Sequence, residues 1–178
     1  FPPGAQDALL PWMDRVLALA DRAICISRAT ADALCRWLDG GGGARRRPLP
    51  IGWFHLGSDL PVAAGPPASA GVAAALAVAA RAPALLMVGT LEPRKGHAQA
   101  LDAMETLWTE GAEAALILAG RQGWMTEALC ARLAAHPEAG RRLFWLRDVA
   151  DDDLSRLYAA ASALVMASEG EGFGLPLV

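Results

Sequence analysis

The chain has almost no lysine: of its 16 Lys and Arg residues, only Lys95 is lysine. Cysteine is also scarce. Cys25, Cys35 and Cys130 are odd in number, and their spacing fits no zinc pattern. They read as buried or partly buried free thiols, which suits a reducing cytoplasm. No charge of one sign dominates. The net charge of −3 gives no global footprint for nucleic acid. Arg45-Arg46-Arg47 follows the glycine run Gly40–Gly43 and reads as a solvated linker. No clean apolar run is long enough to span a bilayer, which takes about 20 residues. The most apolar stretch, Ala70 to Val88, is broken by Arg81 and Pro83. No basic head precedes an apolar core at Phe1, so no signal peptide is read. The chain opens on Phe1 and closes at Val178 inside an expected helix, so it reads as a fragment.

What is present is an alternation. Apolar residues from Asp7 to Ala20 recur at helical spacing, and Ala23–Ile26 is a short strand. Ser27 or Thr30 caps the next helix, which carries Leu34, Trp37 and Leu38 and ends at the glycine run. Leu49–Leu56 reads as a strand, Gly57–Pro67 as a linker rich in small residues, and Ala70–Ala80 as a helix. Strands then follow at Ala84–Val88, Ala114–Ala119, Leu143–Leu146 and Ala163–Ala167. Helices are expected at His97–Trp108, Thr126–Ala135 and Leu154–Ala160, with a further start at Gly174. The pattern predicts an α/β fold, with a parallel sheet covered by helices. Residues 1–60 read as the tail of one Rossmann-like domain, 61–80 as a linker, and 81–178 as most of a second such domain. In such folds ligands bind beyond the carboxyl ends of the strands.

Two loops fall there. Gly89-Thr90-Leu91-Glu92-Pro93-Arg94-Lys95-Gly96-His97 puts adjacent cations just before a helix. Backbone donors and the helix dipole favour anions at that position. Arginine adds a planar fork for phosphate oxygens, and lysine adds a point charge. A solvated pair explains the position poorly, because cations are disfavoured at a helix N-terminus. The second loop, Glu169-Gly170-Glu171-Gly172-Phe173-Gly174-Leu175-Pro176, sets a carboxylate among glycines. Glycine permits unusual backbone angles and close ligand approach. Glu171 there either accepts from a sugar hydroxyl or is an exposed turn carboxylate. The two loops together suit a phosphorylated sugar.

Neither glycine cluster is a familiar phosphate loop. Gly170-x-Gly172-x-Gly174 lacks the dinucleotide spacing, and Gly40–Gly43 lacks a Gly-Lys-Ser/Thr ending. His97 reads as a helix cap or a functional group, while His55 and His136 read as surface or packing residues. Arg121, in Gly120-Arg121-Gln122-Gly123-Trp124, stands at a strand end as a nucleotide contact or a surface charge. In Leu146-Arg147-Asp148-Val149 the backbone is placed to read a base. Asp151–Asp153 reads as an N-cap, and Trp37, Trp53 and Trp145 read as core.

These segments resemble glycosyltransferase family 4, the retaining enzymes of the GT-B fold. The resemblance covers nearly the whole chain. It is strongest in Gly89–His97, Leu116–Trp124, Leu146–Asp153 and Glu169–Val178, and Ala20–Ser27 is similar to the last strand of the family's N-terminal domain. It implies a C-terminal domain that binds the nucleotide-sugar donor, preceded by the end of an acceptor domain. Arg94 and Lys95 match the cations expected at the diphosphate, and Glu171 matches the glutamate expected at the donor sugar. Thr90, Glu92, Arg121, Arg147, Val149, Gly172, Phe173, Gly174 and Leu175 are the remaining candidate substrate contacts. Where the family often carries arginine, this chain has Thr90. The motif's second glutamate, expected at the ribose, would fall just beyond Val178.

The Thr-Leu-Glu-Pro-Arg-Lys wording resembles mannosyl and related transferases of bacterial surface polysaccharides. The resemblance implies hexose transfer, from GDP-mannose or a similar donor, with retention and without a metal or other cofactor. The acceptor would be a glycan or a lipid-linked glycan. The expected location is the cytoplasm, at the inner face of the membrane, with any membrane contact through the missing part of the N-terminal domain. No nucleic-acid partner is expected, and the fragment alone is expected to be inactive. Two other classes stay open: a non-catalytic module that binds nucleotide sugar or phosphate, and a nicotinamide-dependent oxidoreductase.

Overall fold

The computed structural model describes residues 4–43, 45, 47–57, 65 and 68–177. Much of the expected linker, Arg46 and Val178 lie outside the described residues. The chain packs as two units. One is Phe1–Ser58 with Glu171–Leu175, and the other is Asp59–Gly170 with Pro176–Val178.

The first unit holds α1 (Ala5–Leu19), β1 (Ala23–Cys25), α2 (Arg28–Asp39) and β2 (Ile51–Trp53). β1 and β2 pair in parallel, with Ala23 opposite Ile51 and Cys25 opposite Trp53. Of the two candidate caps, Ser27 caps α2. Its Oγ accepts from the Thr30 amide at 3.1 Å, satisfying a donor the helix leaves open. The expected strand at Leu49–Leu56 is shorter than its sequence suggests. Its partner β1 ends where the chain turns into α2, so little remains for it to pair with. Trp53 is 46% exposed rather than in a core: it stands at the end of a two-stranded sheet, where its ring meets that of His55. Arg45 departs from the solvated-run expectation: it donates to the Ala20 carbonyl at 2.9 Å. The three cysteines are free, but Cys35 is exposed, since it lies on the outward side of α2.

The second unit is a three-layer sandwich. It runs α3 (Ala70–Ala79), β3 (Ala84–Val88), α4 (His97–Thr109), β4 (Ala115–Ala119), α5 (Glu127–Ala135), β5 (Leu143–Leu146), α6 (Asp151–Ala160) and β6 (Ala163–Leu164). The strands are ordered β5-β4-β3-β6, and every pairing is parallel. Side chains alternate across a strand, so β4, buried at every position, feeds two cores. Leu116 and Leu118 pack with Met87, Leu101, Met104, Trp108 and Leu133 on the α4–α5 face. Ile117 and Ala119 pack with Val72, Ala75, Leu86, Phe144 and Leu157 on the α3–α6 face. A parallel strand covered on both sides carries a continuous apolar run, as Ala115–Ala119 does.

Three local expectations change. β6 pairs over only two residues, because the chain then leaves the sheet and Ala167 reaches Gly96. Ala150, not an aspartate, occupies the N-cap of α6, and Asp151–Asp153 form its first turn. There they complement the helix dipole, while the Asp153 carboxylate accepts from the Ser69 amide at 3.2 Å. Of the helix expected from Gly174, the described residues show a 3-10 turn, Leu175–Leu177. Among the described residues no helix is long and apolar enough to cross a membrane.

Candidate functional site

At the carboxyl edge of the four-stranded sheet, the loops after β3 and β4 are stitched together by their backbones. The Leu91 amide donates to the Arg121 carbonyl at 2.8 Å, and the Gly123 amide donates to the Leu91 carbonyl at 2.9 Å. A side chain at Gly123 would collide with the Leu91 carbonyl, so only glycine permits this approach. Leu91 is fully buried and anchors the loop that presents the cations.

Those cations occupy a 3-10 turn, Pro93–Lys95, directly before α4. Gly96 joins turn to helix at φ 72°, a left-handed conformation, with Ala167 packed where a Cβ would stand. Arg94 is aimed from two sides. Its Nε pairs with the Glu92 carboxylate at 3.0 Å, and its Nη1 donates to the Gly170 carbonyl at 3.2 Å. The Glu169 amide returns a bond to the Arg94 carbonyl at 2.9 Å. Glu92 thus orients the guanidinium. Lys95 is half-buried beside His97, Met166 and Ser168, around a cavity of about 10 Å³.

His97 does not cap α4; the N-cap is Gly96, with no side-chain bond. It is 2% exposed, and its Nδ1 has no hydrogen-bond partner among the described residues. Burial, reinforced by the Lys95 charge, lowers its pKa to about 4, against a weaker opposing effect of the Glu92 backbone. The imidazole is therefore neutral near pH 7, and the positive charge of this turn resides on Arg94 and Lys95.

The remaining candidates of this unit line the same sheet edge. Thr90 is exposed. Arg121 pairs with Asp148 at 3.0 Å in the open. Arg147 lies over the Trp145 ring at 3.9 Å, an arrangement that holds the guanidinium flat. Trp145 is only partly buried, and its indole N–H donates to the Gly120 carbonyl at 2.9 Å. Val149 packs against the α3–α6 core.

Glu171, Gly172, Phe173, Gly174 and Leu175 belong to the first unit. Glu171 is exposed. The Phe173 ring sits 5.7 Å from the His55 ring, which also contacts Trp53. Gly174 is buried at φ 83°, and Leu175 is 54% exposed. Ser27 and Thr30 both donate to the Gly172 carbonyl. By sequence alone these two residues read only as caps. The signal available was a pair of hydroxyls three apart directly after a strand, a pattern that capping alone accounts for.

A family model described as glycosyl transferases group 1 matches residues 74–178. The serotype-specific mannosyltransferase WbdA of Escherichia coli is 44% identical over 180 residues, covering 98% of this chain and 22% of that protein. The chain therefore spans about a fifth of that relative's length. The O-antigen chain mannosyltransferase B of Escherichia coli is 41% identical over 97 residues, 52% of this chain and 24% of that protein. Among solved structures, sucrose-phosphate synthase from Thermosynechococcus elongatus aligns with TM-score 0.66 and 22% identity, over 98% of this chain and 42% of that one. Anabaena Alr3699/HepE, solved in complex with UDP and glucose, aligns with TM-score 0.66 and 19% identity, over 98% and 44%. The α/β architecture with parallel, helix-covered sheets is of the GT-B type. The chain belongs to the glycosyl transferases group 1 family.

Proposed function

We propose that the protein is a retaining glycosyltransferase. It moves a hexose, here taken as mannose, from a nucleoside-diphosphate sugar such as GDP-mannose to a glycan or lipid-linked acceptor. The observation that carries this reading is the turn Pro93–Lys95, with two adjacent cations at the start of α4 and Arg94 oriented by Glu92 and Gly170. Transfer breaks the bond between the anomeric carbon and the diphosphate oxygen, and the diphosphate keeps the electron pair. Charge develops on that oxygen, so fixed cations and helix amides at this position stabilise the transition state more than the ground state. The acceptor hydroxyl bonds to the anomeric carbon on the face the diphosphate leaves, and its proton passes to a departing phosphate oxygen. The two cations supply the counter-charge, so the reading calls for no metal and no other cofactor.

Motif position supports a sugar-hydroxyl contact for Glu171 and donor contacts for Gly172, Phe173, Gly174 and Leu175. Thr90, Arg121, Arg147 and Val149 fall to the nucleotide side, and Glu92 acts through Arg94. The donor's mannose is inferred from the named activity of the two relatives, and the same kinship favours a transferase over a non-catalytic binding module. A lipid-linked acceptor would place the work in the cytoplasm, at the inner face of the membrane.

The test is calorimetric titration of the intact protein with GDP, UDP, ADP and NAD. One nucleoside diphosphate should bind selectively, and the double substitution Arg94→Ala/Lys95→Ala should weaken it by about a hundredfold or more, since each lost charged contact costs about 1.5–3 kcal/mol. Binding of NAD alone, or unchanged binding in the double variant, would overturn the reading.

A further inference from the structure

We propose that Ser27 and Thr30 are positioning residues that clamp the glutamate–glycine loop and so set the direction of Glu171. This rests on the transferase reading above. Gly170 and Gly172 flank Glu171, and glycine loses more backbone freedom on ordering than any other residue. A backbone so rich in glycine is costly to order, and ordering it only during transfer would raise the barrier.

The described contacts remove that freedom at one point. The Gly172 carbonyl accepts a bond from Ser27 Oγ and another, at 3.1 Å, from Thr30 Oγ1. A carbonyl oxygen has two lone pairs and takes both. The two hydroxyl oxygens are themselves 3.0 Å apart. Each hydroxyl has one proton, so with both directed at the carbonyl neither is left for the other hydroxyl. Ser27 is 8% exposed and is held by capping α2, so it approaches Gly172 from a fixed seat. The fit is close: a Cβ at Gly172 would stand 3.2 Å from Ile26 Cδ1. On the next residue, the Phe173 ring rests against His55. Residues at the ends of β1 and β2 thus hold a loop far along the chain.

Capping explains Ser27 but not the Thr30 hydroxyl, whose bond to Gly172 adds nothing to the helix start. Thr30→Val removes that hydroxyl at nearly constant shape and leaves the Ser27 cap, so it is the informative change. Thr30→Ser keeps the hydroxyl and is the rescue.

The experiment compares both variants with the wild-type intact protein. In Thr30→Val, kcat should fall about fivefold to tenfold, the worth of one hydrogen bond. The Kd for the nucleoside diphosphate should not change, because Arg94 and Lys95 hold that group. Amide exchange in a peptide spanning Glu171–Gly174 should accelerate, while Thr30→Ser stays close to wild type in all three. Unchanged kcat and exchange in Thr30→Val would overturn the clamp, as would a loss matched by an equal loss of nucleotide affinity and thermal stability. A wild-type protein that neither binds a nucleoside diphosphate nor transfers a hexose would instead overturn the transferase reading. The exchange measurement needs no activity, so it still reads the clamp itself.

Discussion

His97 shows how far a residue's environment departs from its place in the sequence. It follows the two cations and opens a helix, which suggested a cap, yet its ring is buried and its pKa lies near 4. The folded protein holds it neutral, while the unfolded chain protonates it near 6.5. Its contribution to stability is therefore complete above about pH 6.5 and is lost as the pH falls toward 4. Across that window the protein should lose up to about 3 kcal/mol from this group alone. Chemical denaturation of the wild type and of His97→Gln at pH 7 and pH 4.5 would check it. The variant should show a smaller difference between the two pH values, and equal differences would refute the assignment. Lys95 was legible as unusual because it is the only lysine. The aim of Arg94 was not legible, since a carboxylate two residues away has several rotamers and only packing selects one.

At the scale of elements, sequence periodicity placed nearly every helix and strand but misjudged lengths. A parallel strand lasts only as long as its neighbour offers backbone partners, so β2 stops where β1 does, and β6 stops where the chain turns toward Gly96. Helix starts were misread where a side chain bonds elsewhere. The Asp153 carboxylate accepts from the Ser69 amide and pairs with Arg156 one turn on in α6, instead of capping the first amides of the helix. The central strand β4 was read well, because burial on both faces leaves a continuous apolar run. Leu118, fully buried on β4, should cost about 3 kcal/mol when cut to alanine. Leu107, 40% exposed on α4, should cost no more than about 0.5 kcal/mol. Urea denaturation of the two variants would read the contrast, and similar losses would contradict the layering.

For the whole molecule, the two units differ in how they are stabilised. The second has an apolar core on each side of a four-stranded sheet. The first has two short strands, and Trp12, Leu19, Ile24 and Trp53 are exposed on it. Local stability follows buried apolar contacts. Amide exchange should therefore be slowest in β4 and markedly faster in α1, and α1 amides as protected as those of β4 would contradict this. The sequence by itself determined the α/β class, the parallel sheet and the loop that presents Arg94 and Lys95. Those follow from hydrophobic period and local backbone chemistry, which neighbouring residues carry. Only the tertiary structure decided that Glu92 and Gly170 aim Arg94, that His97 is neutral, and that Glu171–Leu175 packs with the first unit under Ser27 and Thr30. Those depend on contacts between residues far apart in the chain, where distance and burial, rather than spacing, set the energy.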